Sequence, residues 1–177
     1  LGAVPCGDGT AEVCVWAPAA RSVLVRSDED VALERDGELW AGRFAGDDYR
    51  LVVDGGAWPD PCSRRQPQGV TGPSRVLDTG AFEWSDESWD GLSLDDLVIY
   101  ELHVGAFSEE GTFDGVVPRL AGLRELGVTA IELMPVATFP GDRGWGYDGL
   151  YTYAVHDAYG GPEGLARLVD AAHAEEL

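Results

Sequence analysis

Short runs in which apolar and polar side chains alternate dominate the first half of the chain. In residues 11–16, Val13 and Val15 fall on one face and their neighbours on the other, the period-2 signature of a strand with one buried side. Residues 22–26, 31–35, 38–44 and 49–53 repeat the pattern, and Asp36-Gly37 between two of these runs is a strong hairpin turn. Such even spacing predicts a small antiparallel β-sandwich of immunoglobulin-like type. Residues 54–80 are rich in Pro, Gly and Ser and predict an irregular excursion that closes on a last strand near residues 74–78.

The rhythm changes after about residue 90. Residues 97–100 form a continuous apolar run, which predicts a parallel strand buried on both faces. A helix is expected over 114–126, with Val116, Leu120 and Leu123 on one stripe, Pro118 close to the first turn, and Gly127 where a left-handed cap belongs. A second strand is expected over 129–135. A second helix should open at Pro162 and bury Leu165, Leu168, Val169 and Ala172. Strand, helix, strand, helix is the repeating unit of a parallel α/β fold. A closed (β/α)8 barrel needs roughly 250 residues. The expectation is therefore a multidomain β plus α/β chain: residues 1–90 a sandwich, residues 91–177 the first βαβα portion of a (β/α)8 TIM barrel, with two open strand edges that leave this second part poorly stable alone.

Composition narrows the partners. A hydrophobic content of 45% suffices for a core, and no apolar run approaches the ~18 residues of a membrane span. The formal net charge is −20, carried against 12 arginines and no lysine, which argues against nucleic acid or an anionic membrane as partner. The acidic surface fits either a salty cytoplasm or GC-rich coding with a well-solvated exterior, and it is spread over both halves. The chain opens at Leu1 and its single methionine is Met134, so the natural start is expected outside it. Three cysteines, Cys6, Cys14 and Cys62, lack zinc-ligand spacing and read as reduced thiols of a cytoplasmic protein, although Cys6 and Cys14 flank a hairpin where a bridge could form.

The most informative stretch is residues 139–150, between the second strand and the second helix. Trp145 and Tyr147 stand there among Gly141, Gly144, Gly146 and Gly149, with Gly160 further on. Flat rings in a glycine-rich bend suit the apolar faces of sugars, and the carboxyl end of a parallel strand is where barrels carry chemistry. Trp145-Gly146-Tyr147 after such a strand resembles the α-amylase superfamily of glycoside hydrolases. Within it, Asp148-Gly149 together with Glu132-Leu133-Met134-Pro135-Val136 resembles the maltooligosyltrehalose trehalohydrolase family. Gly2-Ala3-Val4-Pro5 and Val15-Trp16-Ala17-Pro18 resemble the opening of that family's amino-terminal sandwich. So does the string Pro59-Asp60-Pro61-Cys62-Ser63-Arg64 with Gln66-Pro67, Gly69-Val70, Gly72-Pro73-Ser74 and Val76, where Cys62 occupies a position more often held by a small residue. Tyr100-Glu101-Leu102-His103-Val104-Gly105 resembles the first barrel strand, a feature shared with branching enzymes, which usually carry glutamine where this chain has Asp148.

The resemblance implies cleavage of the α-1,4 bond beside the terminal trehalosyl unit of maltooligosyltrehalose, by a retaining mechanism whose two carboxyl groups sit ~5 Å apart. It implies an α-glucan or maltooligosyltrehalose substrate, maltooligosyltrehalose synthase as pathway partner, and no cofactor. The nucleophile and acid belong to later barrel strands, so residues 1–177 are expected to hold no catalytic residue and to be inactive alone. A glycogen branching enzyme and a non-enzymatic α-glucan-binding module are the rival readings.

Three residues are candidates for substrate binding. Tyr147 matches the family tyrosine that stacks on sugar at the cleavage site, an interaction of about 1 kcal/mol; the alternative is a ring that merely packs the loop. Asp148 could hydrogen-bond sugar hydroxyls or cap a turn. His103 lies near the end of the first strand, the functional edge of a barrel, where a satisfied core histidine is the competing account. Trp145 reads as a buttress. Glu132 interrupts an apolar strand and, if buried, needs a partner that the sequence does not supply. His156 and His173 have no neighbours at metal-ligand spacing, and His173 reads as a surface residue. Trp16 and Trp40 fall in strands and are expected in the core, while Trp84 and Trp89 should cover the junction between the halves; Trp58 completes the tempting but unproven picture of a glucan-binding surface.

Overall fold

Alternation in the first half resolves into two antiparallel sheets in a computed structural model, which describes residues 1–177. The strands are β1 (Gly2–Pro5), β2 (Thr10–Trp16), β3 (Val23–Arg26), β4 (Asp30–Ala32), β5 (Glu34–Asp36), β6 (Leu39–Ala45), β7 (Asp48–Val53), β8 (Gly56–Trp58) and β9 (Ser74–Arg75). One sheet runs β1-β2-β6-β5; the other runs β4-β3-β7-β8, with β9 also on β7. Their inner faces share one core, in which Val13 and Val15 of β2, Val23 and Val25 of β3, Trp40 and Phe44 of β6, and Tyr49 and Leu51 of β7 are buried.

Parity along β2 corrects one expectation. Trp16 lies on the same face as Glu12, opposite Val13 and Val15, and is 60% exposed, its indole N–H donating to Glu38 Oε2 at 3.1 Å. The predicted single strand over 31–35 is divided. Leu33 turns inward, its N–H bonded to Val23 O at 2.9 Å, so β4 pairs with β3 in one sheet and β5 with β6 in the other. Gly42 leaves the space for it, since a Cβ there would sit 2.7 Å from Leu33 Cδ2.

The Pro- and Gly-rich excursion folds back over β7 through buried polar groups that satisfy one another. Tyr49 Oη donates to Asp60 Oδ2 at 2.6 Å, the Asp60 N–H donates to Ser74 Oγ at 2.9 Å, and Ser74 Oγ donates to Gln66 Oε1 at 2.6 Å. Burial lifts the Asp60 carboxyl above its ordinary range, opposed by the bonds it accepts, and pushes the Tyr49 phenol up as well. All three cysteines are free thiols.

In the second half, β10 (Ile99–Leu102) and β11 (Ala130–Leu133) pair in parallel, Ile99 opposite Ala130 and Leu102 opposite Leu133. The expected strand over 97–100 thus begins two residues later, and it is not buried on both faces: Ile99, Tyr100 and Glu101 are exposed and only Leu102 is covered, because this sheet holds two strands and little packs over it. The single helix expected over 114–126 becomes α2 (Phe113–Val116), a 3-10 turn over Val117–Arg119, and α3 (Leu120–Leu126), preceded by the short α1 (Val104–Phe107). Pro118 lacks the N–H that a continuous helix would use, which explains the break. Gly127, at φ 93°, caps α3, its N–H reaching Arg124 O at 3.0 Å while Val128 N–H reaches Leu123 O at 3.1 Å. A short antiparallel arm, β12 (Ala137–Thr138) and β13 (Tyr151–Val155), precedes α4 (Gly161–Ala174). Pro162 lies in the first turn of α4, whose buried stripe is Gly164, Leu168 and Ala172, with Leu165 and Val169 half-buried. These helices pack Phe113, Val116, Leu120, Leu123 and Leu168 around Leu102 and Val128 in a second core.

The two halves are tied together by polar bonds. Arg65 is ion-paired with Glu163 and stands 3.8 Å from Asp157, and Tyr151 Oη donates to Val70 O at 2.7 Å. Ser85 donates its N–H and hydroxyl to Asp170. His173, expected on the surface, is instead half-buried, its Nδ1 2.6 Å from Asp86 Oδ2 and its ring stacked on Trp89. Trp84 is half-exposed beside a cleft of about 570 Å³ between residues 77–84 and α4. No helix is long and apolar enough to cross a membrane.

Candidate functional site

Past the carboxyl end of β11 the chain runs through β12 and then into the glycine-rich loop. Leu150 N–H donates to Thr138 O at 2.9 Å and closes the loop at its base. Phe139 is buried at one foot, while Gly146, itself buried and at φ 85°, is pressed so closely on the Pro135 carbonyl oxygen that no Cβ would fit. The chain between these points projects outward: Trp145 is 74% and Tyr147 71% exposed, and Asp148 is exposed with no hydrogen-bond partner among protein groups. Trp145, expected as a buttress, is therefore as open to solvent as Tyr147.

His103 follows Leu102 directly and caps α1, its carbonyl accepting from Ala106 and Phe107 N–H at 3.0 Å each. Its Nε2 is 2.8 Å from Gly144 O, so this nitrogen carries a proton and donates it to the loop. The Tyr159 hydroxyl, 3.3 Å from both that nitrogen and that oxygen, donates to the same carbonyl. His103 Nδ1 is buried without a partner. Tyr147, Asp148 and His103 thus belong to one region, the first two on the exposed loop and the third behind it.

Beneath lies an aromatic floor that the sequence reading did not single out. Phe139 stacks on His156 with centroids 3.8 Å apart, and Tyr159 meets Phe113, Phe139 and His156 edge-on at 6.1, 5.9 and 5.1 Å. Tyr159 stands immediately before the Gly160-Gly161 pair, both at positive φ, and an aromatic residue at such a turn was the available signal. His156 is 5% exposed with neither ring nitrogen bonded. Burial lowers its pKa from 6.5, a shift that Asp142, Asp157 and Asp148 only partly oppose. The folded state thus binds this proton less readily than the unfolded chain, so the histidine's contribution to stability is present above about pH 6.5 and falls as the pH drops through its folded pKa. His156→Phe, which keeps the stack and removes the titrating ring, is expected to raise the thermal midpoint more at pH 5 than at pH 8. Equal shifts at both values would contradict this assignment.

Glu132 is exposed and lies beside Glu101 across the parallel pair, so it is neither buried nor salt-bridged as its place in an apolar strand suggested. No group of three or more His, Cys, Asp or Glu side chains is arranged to hold a metal ion. What the loop offers chemically is recognition: two exposed aromatic faces and a free carboxylate able to accept from hydroxyls.

Residues 64–177 match the family model of the α-amylase catalytic domain. The chain belongs to the α-amylase family. A malto-oligosyltrehalose trehalohydrolase of Saccharolobus solfataricus is 47% identical over 170 residues, covering 90% of this chain and 30% of the relative. One from Deinococcus radiodurans is 46% identical over 180 residues, covering 98% of the chain and 30% of the relative. A crystal structure of a candidate α-amylase from Salmonella typhimurium superposes with a TM-score of 0.93 at 40% identity, covering 99% of this chain and 31% of that one. The chain thus spans about 30% of the length of the curated relatives it matches. Membership in the α-amylase family gives the exposed rings after β11 a context in carbohydrate chemistry, and the likeness extends through the two antiparallel sheets as well as the α/β part.

Proposed function

We propose that this chain is the amino-terminal part of a glycoside hydrolase that cleaves the α-1,4 bond next to the terminal trehalosyl unit of maltooligosyltrehalose and releases trehalose. In this reading residues 1–90 form an immunoglobulin-like β-sandwich and residues 91–177 the opening βαβα segment of a (β/α)8 barrel. The nucleophile and acid come from outside residues 1–177. Of the three candidate residues, Tyr147 and Asp148 contact the substrate, the phenol stacking on a glucose ring and the carboxylate accepting from its hydroxyls, while His103 serves binding from behind the loop. The enzyme works in the cytoplasm, which the three free thiols support. A synthase that makes maltooligosyltrehalose supplies its substrate.

The observation that carries the reading is the likeness to trehalohydrolases at 46–47% identity across 90–98% of the chain, the 139–150 loop included. The test is a product assay on the complete open reading frame with maltooligosyltrehalose. Free trehalose is the expected product; formation of α-1,6 branches on amylose without trehalose release would replace this reading by that of a branching enzyme.

A further inference from the structure

Residues 140–149 carry both exposed rings, and two side chains from outside the loop, His103 and Tyr159, meet it at one atom, the Gly144 carbonyl oxygen. Arg143, Asp142 and Asp148 form no ion pair, and neither the Trp145 indole nor the Tyr147 hydroxyl is bonded. The loop is closed at its base by Leu150 and wedged at Gly146, and in between it hangs on two donors.

We propose that His103 and Tyr159 are positioning residues for sugar recognition, holding the Gly144 carbonyl and thereby setting where Tyr147 and Asp148 stand. This rests on the reading of Tyr147 as the ring that contacts glucose.

Both donors are well suited to the task because their own positions are over-determined. His103 is fixed between the end of β10 and the first turn of α1. Tyr159 is 2% exposed, gripped edge-on by Phe113, Phe139 and His156. The acceptor is equally constrained, since a Cβ on Gly144 would meet the Phe139 ring at 3.2 Å. His103 has no nitrogen left to offer a ligand: Nε2 is committed to Gly144, and Nδ1 is sealed from solvent. Its influence on a bound sugar therefore runs through the loop. Side chains held by packing and by second-tier hydrogen bonds are what keep a recognition group within a fraction of an ångström of its working place.

A double-mutant cycle on the complete enzyme with maltooligosyltrehalose tests this. Tyr147→Ala is expected to lower kcat/KM about tenfold, through loss of stacking. His103→Leu should lower it by a similar factor, and Tyr159→Phe by about threefold to fivefold, as one of two hydrogen bonds is lost. In the Tyr147→Ala background, His103→Leu should add no more than about twofold, because residues acting through one another are not additive. His103→Gln, which restores an amide donor, should recover most of the loss without changing the thermal midpoint. Multiplication of the two effects in the double variant, to about 100-fold, would mean that His103 acts independently of the ring and would overturn the proposal. If Tyr147→Ala is impaired while His103→Leu and Tyr159→Phe match wild type, the positioning claim fails alone. An unimpaired Tyr147→Ala instead removes the sugar-contact reading beneath it. Should His103→Leu fail to fold, Tyr159→Phe, which keeps its ring packing, carries the same cycle.

Discussion

Gly146→Ala in the complete enzyme is expected to lower kcat/KM about 100-fold, with the far-ultraviolet circular dichroism unchanged. Gly146 sits at φ 85°, a region costing an L-residue about 1–2 kcal/mol, and its missing Cβ is the space that the Pro135 carbonyl occupies. Pro135 lies two residues past the end of β11, and the atom in the way is its carbonyl oxygen, so the clash is between two backbones and not against a flexible side chain. The loop must move to admit the methyl group, and Tyr147 is the next residue. Displacement of the ring and of Asp148 together explains why this change should exceed removal of the phenol alone. A Gly146→Ala enzyme with wild-type kinetics would show that the loop tolerates another path and that its geometry is not what the activity depends on.

Phe113→Ala is expected to cost about 3–5 kcal/mol, read as a lower urea midpoint of the complete protein, and to impair activity as well. Phe113 is fully buried at the start of α2, where Thr112 caps the helix by accepting from the Gly115 N–H. It packs against α4 so closely that a Cβ on Gly164 would lie 3.2 Å from its ring, and it meets Tyr159 edge-on at 6.1 Å. Removing it therefore opens a cavity between two helices and loosens the residue that donates to Gly144. Phe113→Leu, which refills most of the volume, should recover the greater part of both losses. A variant with lowered stability but unchanged kcat/KM would separate the core from the loop.

The strands of the first half could be read from alternation because each has one face in a shared core, and β2, β6 and β7 lie within a residue or two of where the pattern puts them. What alternation hid was a change of partner: Leu33 obeys the inward parity, but nothing local says that β4 and β5 belong to different sheets. β1 and β8 carry no alternation signal, Gly2–Pro5 and Gly56–Trp58 being short and containing glycine or proline. Trp16 falls in a strand, which points to the core, but its parity with Glu12 and its bond to Glu38 hold it outside. β12 is only two residues long and a glycine-rich loop parts it from β13, so the pair carries no local hairpin signal although Tyr151-Thr152-Tyr153-Ala154-Val155 has β-forming composition.

In the candidate site, the exposed loop residues were legible because glycine spacing and aromatic rings are local signals. The support behind them was not. His103, Phe113, Phe139 and the pair His156 and Tyr159 lie far apart in sequence, and only the fold shows that they share one floor and that two of them meet one carbonyl. His156 is the clearest case: a histidine without metal-ligand neighbours in sequence turns out to be buried against a phenylalanine, with both nitrogens unsatisfied.

The central claim is that an exposed ring after β11 holds a glucose unit. The most direct measurement is a crystal structure of the complete protein bound to a maltooligosaccharide. The account predicts a glucose ring lying face-on over the Tyr147 phenol at about 4–5 Å, with a hydroxyl donating to Asp148. Sugar bound in the active cleft with Tyr147 turned away from it, or no contact between any glucose and the 140–149 loop, would contradict it.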